Sequence, residues 1–199
     1  LAAIRSIGRT EEYFYMPVFE SAAMIPPQTR REALTEVRAQ LDTVSGSILN
    51  IRVGGNDLSH AFGLRRPANR TIYDLRPVAD ILIDIVAAFG TQYVVSGPVW
   101  EYYSGEGWEE GLRREMELDL LNGFTGKTVI HPNQIPVVNE MLRVSQQDYA
   151  DARAILNWDT GSGSLVSASE DGGRMNEYNT HSRWARRIVL RAERYGVRA

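Results

Sequence analysis

Short uncharged apolar runs alternate with stretches of helical periodicity along most of the chain. Residues 13–19 (YFYMPVF), 47–53 (SILNIRV), 91–96 (TQYVVS) and 127–130 (KTVI) are apolar or β-branched and are bounded by Gly, Pro or polar residues. Such runs predict strands covered on both faces. Between them, Ala33, Leu34, Val37 and Leu41 recur at helical spacing over residues 28–41. Val78, Ile81, Leu82, Ile85, Val86 and Phe89 do the same and stop at Gly90. Residues 109–121 predict a third helix, charged on its exposed side, and residues 133–143 a fourth. The order is β-α repeated four times, the signature of a parallel sheet.

Beyond residue 145 the alternation ends. Residues 146–158 read as a helix, 159–173 as a loop or short hairpin rich in Gly, Ser and Asp, and 180–195 as a closing arginine-rich helix. The expected division is therefore 1–145, a barrel-type domain, and 146–199, a helical extension packing on the barrel or on a neighbouring subunit. Four βα units make half of a (β/α)8 barrel or a small open sheet. Half a barrel alone leaves open edges and an uncovered interior. A preceding half in a longer chain is the favoured completion, with a second copy the alternative.

Composition narrows the partners. A net charge of -3 gives no reason to expect nucleic acid, and no apolar run reaches membrane-spanning length. The arginines of the closing helix read as a solvated face. There is no cysteine, which excludes disulfides and thiolate chemistry and agrees with a cytoplasmic location.

Parallel βα architectures place chemistry where strands end and loops begin. That rule selects Glu20, then Gly54, Gly55, Asn56 and Asp57, then Pro98, then His131 and Pro132. Glu20 and Asp57 occupy equivalent positions on successive units. An unpaired carboxylate at a dry strand end is costly, and a metal or an arginine is the usual remedy. Two carboxylates, with water and substrate oxygens completing the shell, suit Mg²⁺. The bland alternatives are a salt bridge for Glu20 and a helix cap for Asp57. His60 lacks the companions of a zinc site, His131 reads as a loop organiser, and His181 as a capping or surface residue.

Three segments resemble a known family. Residues 123–141 (GFTGKTVIHPNQIPVVNEM) are similar to the last barrel unit of the citrate lyase β-subunit and HpcH/HpaI aldolase family. Residues 16–21 (MPVFES) and 52–58 (RVGGNDL) resemble the family strands that end in the metal-binding glutamate and aspartate, in the same order. The resemblance implies the C-terminal half of a TIM barrel and a Mg²⁺-dependent carbon–carbon lyase acting on a hydroxy acid or its CoA thioester. It also implies a homo-oligomer, trimer or hexamer, whose C-terminal segment reaches a neighbour's site. Residues 172–177 (GGRMNE) resemble that segment, but Asn176 stands where the family carries an acid, with Glu177 beside it. An amide is no general acid or base. Either Glu177 substitutes, or the chemistry differs: thioester hydrolysis, or a non-catalytic assembly subunit, are the alternatives.

Overall fold

A computed structural model describes residues 13–158 and 166–198. The chain forms two compact units that part between Ile135 and Pro136.

The first unit is built on four parallel strands in the order β1 (Val18–Phe19), β2 (Ile51–Val53), β3 (Val95–Gly97) and β4 (Gly126–Lys127). The strands are shorter than the apolar runs that predict them. The run from residue 13 pairs only through a bridge from Tyr15 to Ile48 before β1 proper begins. Helix α1 (Pro27–Asp42) follows β1, α2 (Gly55–Ala61) and α3 (Arg76–Phe89) both follow β2, and α4 (Trp108–Leu121) follows β3.

Strand alternation decides which face is covered. Phe19, Ile51, Val53 and Val95 point to the helical side and pack with Leu34 of α1 and with Val78, Ile81, Leu82, Ile85 and Phe89 of α3. Each such side chain contributes about 1.5–3 kcal/mol on burial, so this layer dominates the unit's stability. Helix α3 ends at Gly90, as its sequence predicts; before it, Thr71 and Asp74 form a reciprocal capping box on the preceding turn, and Pro77 sits in its first turn. Among the described residues nothing covers the opposite sheet face at its N-terminal end. Phe14, Met16, Val18 and Val94 remain 51%, 47%, 44% and 48% exposed.

The second unit packs α6 (Gln146–Leu156) against α7 (Tyr178–Tyr195) through Val144, Ala152, Ile155, Ala185, Ile188 and Ala192. Helix α5 (Gln134–Met141) leads into it. β5 (Val144–Ser145) pairs in parallel with β8 (Val197–Arg198). An antiparallel hairpin joins β6 (Val166–Ala168) to β7 (Met175–Glu177). The hairpin expected from the Gly- and Ser-rich segment is thus present in its second part; residues 159–165 lie outside the described residues. Among the described residues no helix is long and apolar enough to cross a membrane.

Candidate metal centre

Glu20 leaves β1 at its C-terminal end, and Asp57 stands in the first turn of α2, directly after β2. The helix starts at Gly55, earlier than the Leu58 turn expected from sequence. Asp57 therefore occupies the third helical position, where the helix N-terminus favours negative charge. No side-chain cap bond forms there. Both carboxylates are exposed, so the sequence argument from burial does not apply. Among the described residues neither one has an ion-pair or hydrogen-bond partner.

The glycines between them are required by packing. A β-carbon at Gly54 would lie 2.5 Å from the Glu20 Cβ and also collide with its carboxylate; one at Gly55 would lie 2.6 Å from both Ile72 and Pro98. The close approach thus brings together Glu20, Gly54, Gly55 and Pro98, and Asn56 buries its Oδ1 beside them without a partner. Two hard carboxylate oxygens facing open space fit Mg²⁺, which keeps several sites for water and substrate. No group of three or more His, Cys, Asp or Glu side chains gathers among the described residues, so a fully protein-caged metal such as structural zinc does not fit.

His131 and Pro132 lie past β4. The His131 ring stacks on Tyr103 at 4.3 Å, and its Nδ1 accepts from the Asn133 amide at 3.1 Å. That bond leaves the ring proton on Nε2. Asn133 Nδ2 donates to the Tyr103 carbonyl, while buried Gln134 donates to the carbonyls of Trp100 and Tyr102 and accepts from Ile130 N–H. His131 therefore organises a junction between the β3 and β4 loops. Gln134 is the stronger clasp, and its sequence signal is its place in the segment 123–141 that carries the family resemblance.

Behind β4 lies a buried charge network that the sequence conceals. Lys127 Nζ donates to Glu115 and Asp119, each at 2.7 Å; Arg66 lies 3.0 Å from Glu115, and the Tyr73 hydroxyl donates to Asp119 at 2.7 Å. The Ile72 amide also donates to Glu115. Burial pushes the Asp119 carboxyl up, partly opposed by Lys127. Burial likewise pushes the Tyr73 phenol up. Gly97 completes the fit, since a β-carbon there would lie 2.5 Å from Asp119 Oδ2. Helix α4 is charged on its exposed side, through Glu110, Arg114 and Glu117, and turns two further carboxylates, Glu115 and Asp119, inward. Two cavities of about 400 Å³ lie away from the carboxylates, one along α3 near Asp80 and Asp84, the other near Tyr15 and Ile48 at the opposite strand ends.

In the second unit Asn176 is buried on β7, and its amide donates to Asp151 Oδ1 at 2.9 Å. Arg174 pairs with Asp151 at 2.5 Å and Asp148 at 2.9 Å, and its guanidinium lies over Trp184. Asn176 is thus engaged within its own unit. Glu177 precedes α7; its amide donates to His181 Nδ1 and its carboxylate accepts from Thr180. His181 has the capping role read from its position.

A parallel βα unit with acidic residues at adjacent strand ends is the working arrangement of barrel enzymes that use a metal. The chain belongs to the family of carbon–carbon bond lyases of the TIM-barrel fold, whose model matches residues 1–197. It is 38% identical over 74 residues to an L-malyl-CoA/β-methylmalyl-CoA lyase of Cereibacter sphaeroides, covering 36% of this chain and 22% of that one. Among solved structures it resembles CitE of Mycobacterium tuberculosis, described in complex with magnesium, acetoacetate and coenzyme A. The TM-score is 0.55 at 25% identity, over 74% of this chain and 53% of that one. A citrate lyase of Burkholderia xenovorans matches in fold, with TM-score 0.67 at 18% identity over all of this chain and 58% of that one. The chain thus spans about a fifth of the curated relative and just over half of each solved structure.

Proposed function

We propose that the first unit carries the metal site of a Mg²⁺-dependent carbon–carbon lyase acting on a hydroxy acid or its CoA thioester. One observation carries the reading: in a member of this lyase family, two carboxylates with no protein partner among the described residues, Glu20 and Asp57, follow adjacent parallel strands. Glu20 and Asp57 would hold the ion, with Gly54 keeping space clear beside Glu20. Bound there, Mg²⁺ would supply Lewis-acid stabilisation of negative charge developing on a substrate oxygen. The Gly55 and Pro98 backbone would bound the substrate on one side, and the His131 Nε2–H, fixed in that tautomer, would offer a donor on the other. The relative that binds magnesium and coenzyme A supports the choice of metal and substrate class.

The exposed sheet face with Phe14, Met16 and Val18 supports a second element of the reading: this is half of a (β/α)8 barrel, completed by further βα units of a longer polypeptide or a second copy. Assembly into a trimer or hexamer and a cytoplasmic location belong to the same proposal.

Titration of the full-length protein with Mn²⁺, followed by its paramagnetic signal, tests the site. Glu20→Ala and Asp57→Ala should each weaken binding by at least about tenfold; unchanged binding in both would remove the basis for the reading. Product analysis with acyl-CoA substrates then separates two carbon fragments, the lyase outcome, from free CoA plus intact acid.

A further inference from the structure

The connection that follows β3 is pegged into the fold. Trp100 is fully buried, and its Nε1 donates to the Trp108 carbonyl at 2.9 Å. Its ring fills a notch in α4, where a β-carbon at Gly111 would collide with the ring and with the Ala68 carbonyl. Two residues before this peg, Pro98 lies against Gly55 at the start of α2. Three residues after it, Tyr103 stacks on the His131 ring at 4.3 Å. The peg thus sits between Pro98 and the His131 stack, the two groups that would bound the substrate.

Arg66 grips the same segment from the connection after α2. Its side chain is only 1% exposed. The guanidinium lies over the Trp100 ring, 5.1 Å from its centroid, and donates to the Val99 carbonyl. In return the Tyr102 hydroxyl donates to the Arg66 carbonyl at 3.0 Å. The ion pair with Glu115 does not by itself call for an arginine. Lys127 also reaches Glu115, and Arg66 and Lys127 together balance Glu115 and Asp119. A lysine at position 66 would supply the same charge. Only the planar fork lets one side chain meet a carboxylate, a carbonyl and an aromatic face together.

We propose that Arg66 is a positioning residue of the metal site: through Val99 and Trp100 it sets where Pro98 and the Tyr103–His131 stack stand relative to Glu20 and Asp57. The inference rests on the metal reading and adds to it a residue that touches no reacting atom. Displacement by about 1 Å is enough to impair a site whose supporting residues are lost.

The test is proton NMR of the His131 ring in the full-length protein, with its signals identified by their loss in His131→Gln. Stacking on Tyr103 displaces these signals upfield, and Mn²⁺ held by Glu20 and Asp57 broadens them. Arg66→Lys keeps the charge balance but not the fork. It should change the upfield displacement and the Mn²⁺ broadening each by about twofold or more, with Mn²⁺ affinity held within about twofold. Tyr102→Phe leaves every buried charge in place and should give a smaller change of the same sign; it also serves where Arg66→Lys fails to fold. Arg30→Lys is the control for general loosening, since Arg30 is buried but pairs with Asp84 on α3, and it should leave both signals as they are. Unchanged His131 signals in Arg66→Lys and Tyr102→Phe overturn the proposal, and so does an equal change in Arg30→Lys. Failure of the metal reading is distinct. Mn²⁺ then leaves His131 unbroadened, or binds Glu20→Ala and Asp57→Ala as tightly as the natural sequence, while the metal-free upfield displacement still reports on Arg66.

Discussion

Glu20 closes over Gly54, with a β-carbon at position 54 placed only 2.5 Å from the Glu20 Cβ. Gly54 has φ -84°, which any residue adopts, so the requirement for glycine here comes from the carboxylate and not from the backbone.

Gly54→Ala therefore tests the carboxylate directly. The added methyl should force Glu20 away from its position while the strand stays intact. We expect Mn²⁺ affinity of the full-length protein to fall by about tenfold or more, with a stability loss of about 1–3 kcal/mol from overpacking. Titration and thermal unfolding measure the two effects separately. Unchanged affinity would show that the Glu20 position is irrelevant to the site.

Lys127 governs the network behind the site. Its ammonium and the Glu115 side chain are fully buried, and removing one partner of such a pair costs about 3–5 kcal/mol. Lys127→Met should destabilise the first unit by that order. In the variant Asp119 loses the partner that opposes its raised carboxyl value, so the folded state should bind a proton there more readily. A raised value means that stability is present below the ordinary carboxylate value of 3.8 and is lost as pH rises through the folded value. Denaturant titrations across the acidic to neutral range should show Lys127→Met losing stability with rising pH more steeply than the natural sequence.

These two sites differ in how far the sequence discloses them. Glu20 and Asp57 are legible because apolar runs stop at them, and chain polarity then places both at one end of the sheet. Helices α1 and α3 were equally legible, since Leu34, Ile81, Leu82 and Ile85 recur at helical spacing. The network was not. Glu115 and Asp119 sit on α4 among other charges, and nothing local separates an inward carboxylate from a solvated one when its partners, Arg66 and Lys127, come from other segments. The start of α2 was obscured for a similar reason. Gly54, Gly55 and Asn56 have loop chemistry, yet Gly55 begins a helix because its lack of a side chain admits Ile72 and Pro98. The burial of Asn176 depends on Asp151, twenty-five positions away, and is invisible to any motif around it.

Asn176→Asp places a second carboxylate against Asp151, where the amide now donates at 2.9 Å. Arg174 already serves both Asp151 and Asp148. Two carboxyls sharing one buried site cannot both ionise cheaply, and one of them takes a raised value. The variant should be less stable at neutral pH by about 1–3 kcal/mol, and the deficit should shrink as pH falls toward the carboxylate range. Unfolding at acid and neutral pH checks this. A variant as stable as the natural protein at neutral pH would mean that Asn176 is free of Asp151 in solution.

Tyr93 gives a titration on the alkaline side. Its hydroxyl donates to Asp42 at 2.6 Å, and its ring meets Phe89 edge-on with centroids 6.2 Å apart. Burial, then the bond to Asp42 and the charge of that carboxylate, push the phenol from 10.0 up to about 12. The folded value is the higher one, so the stabilisation is complete below pH 10 and is lost as pH rises from 10 through about 12. Tyr93→Phe keeps the ring but removes the titrating group. The natural protein should lose thermal stability faster than the variant across that interval, with the two curves running parallel below it. Parallel curves throughout would mean that the phenol ionises alike in the folded and unfolded chain, and the link between α1 and the α3–β3 connection would have to rest on the ring alone.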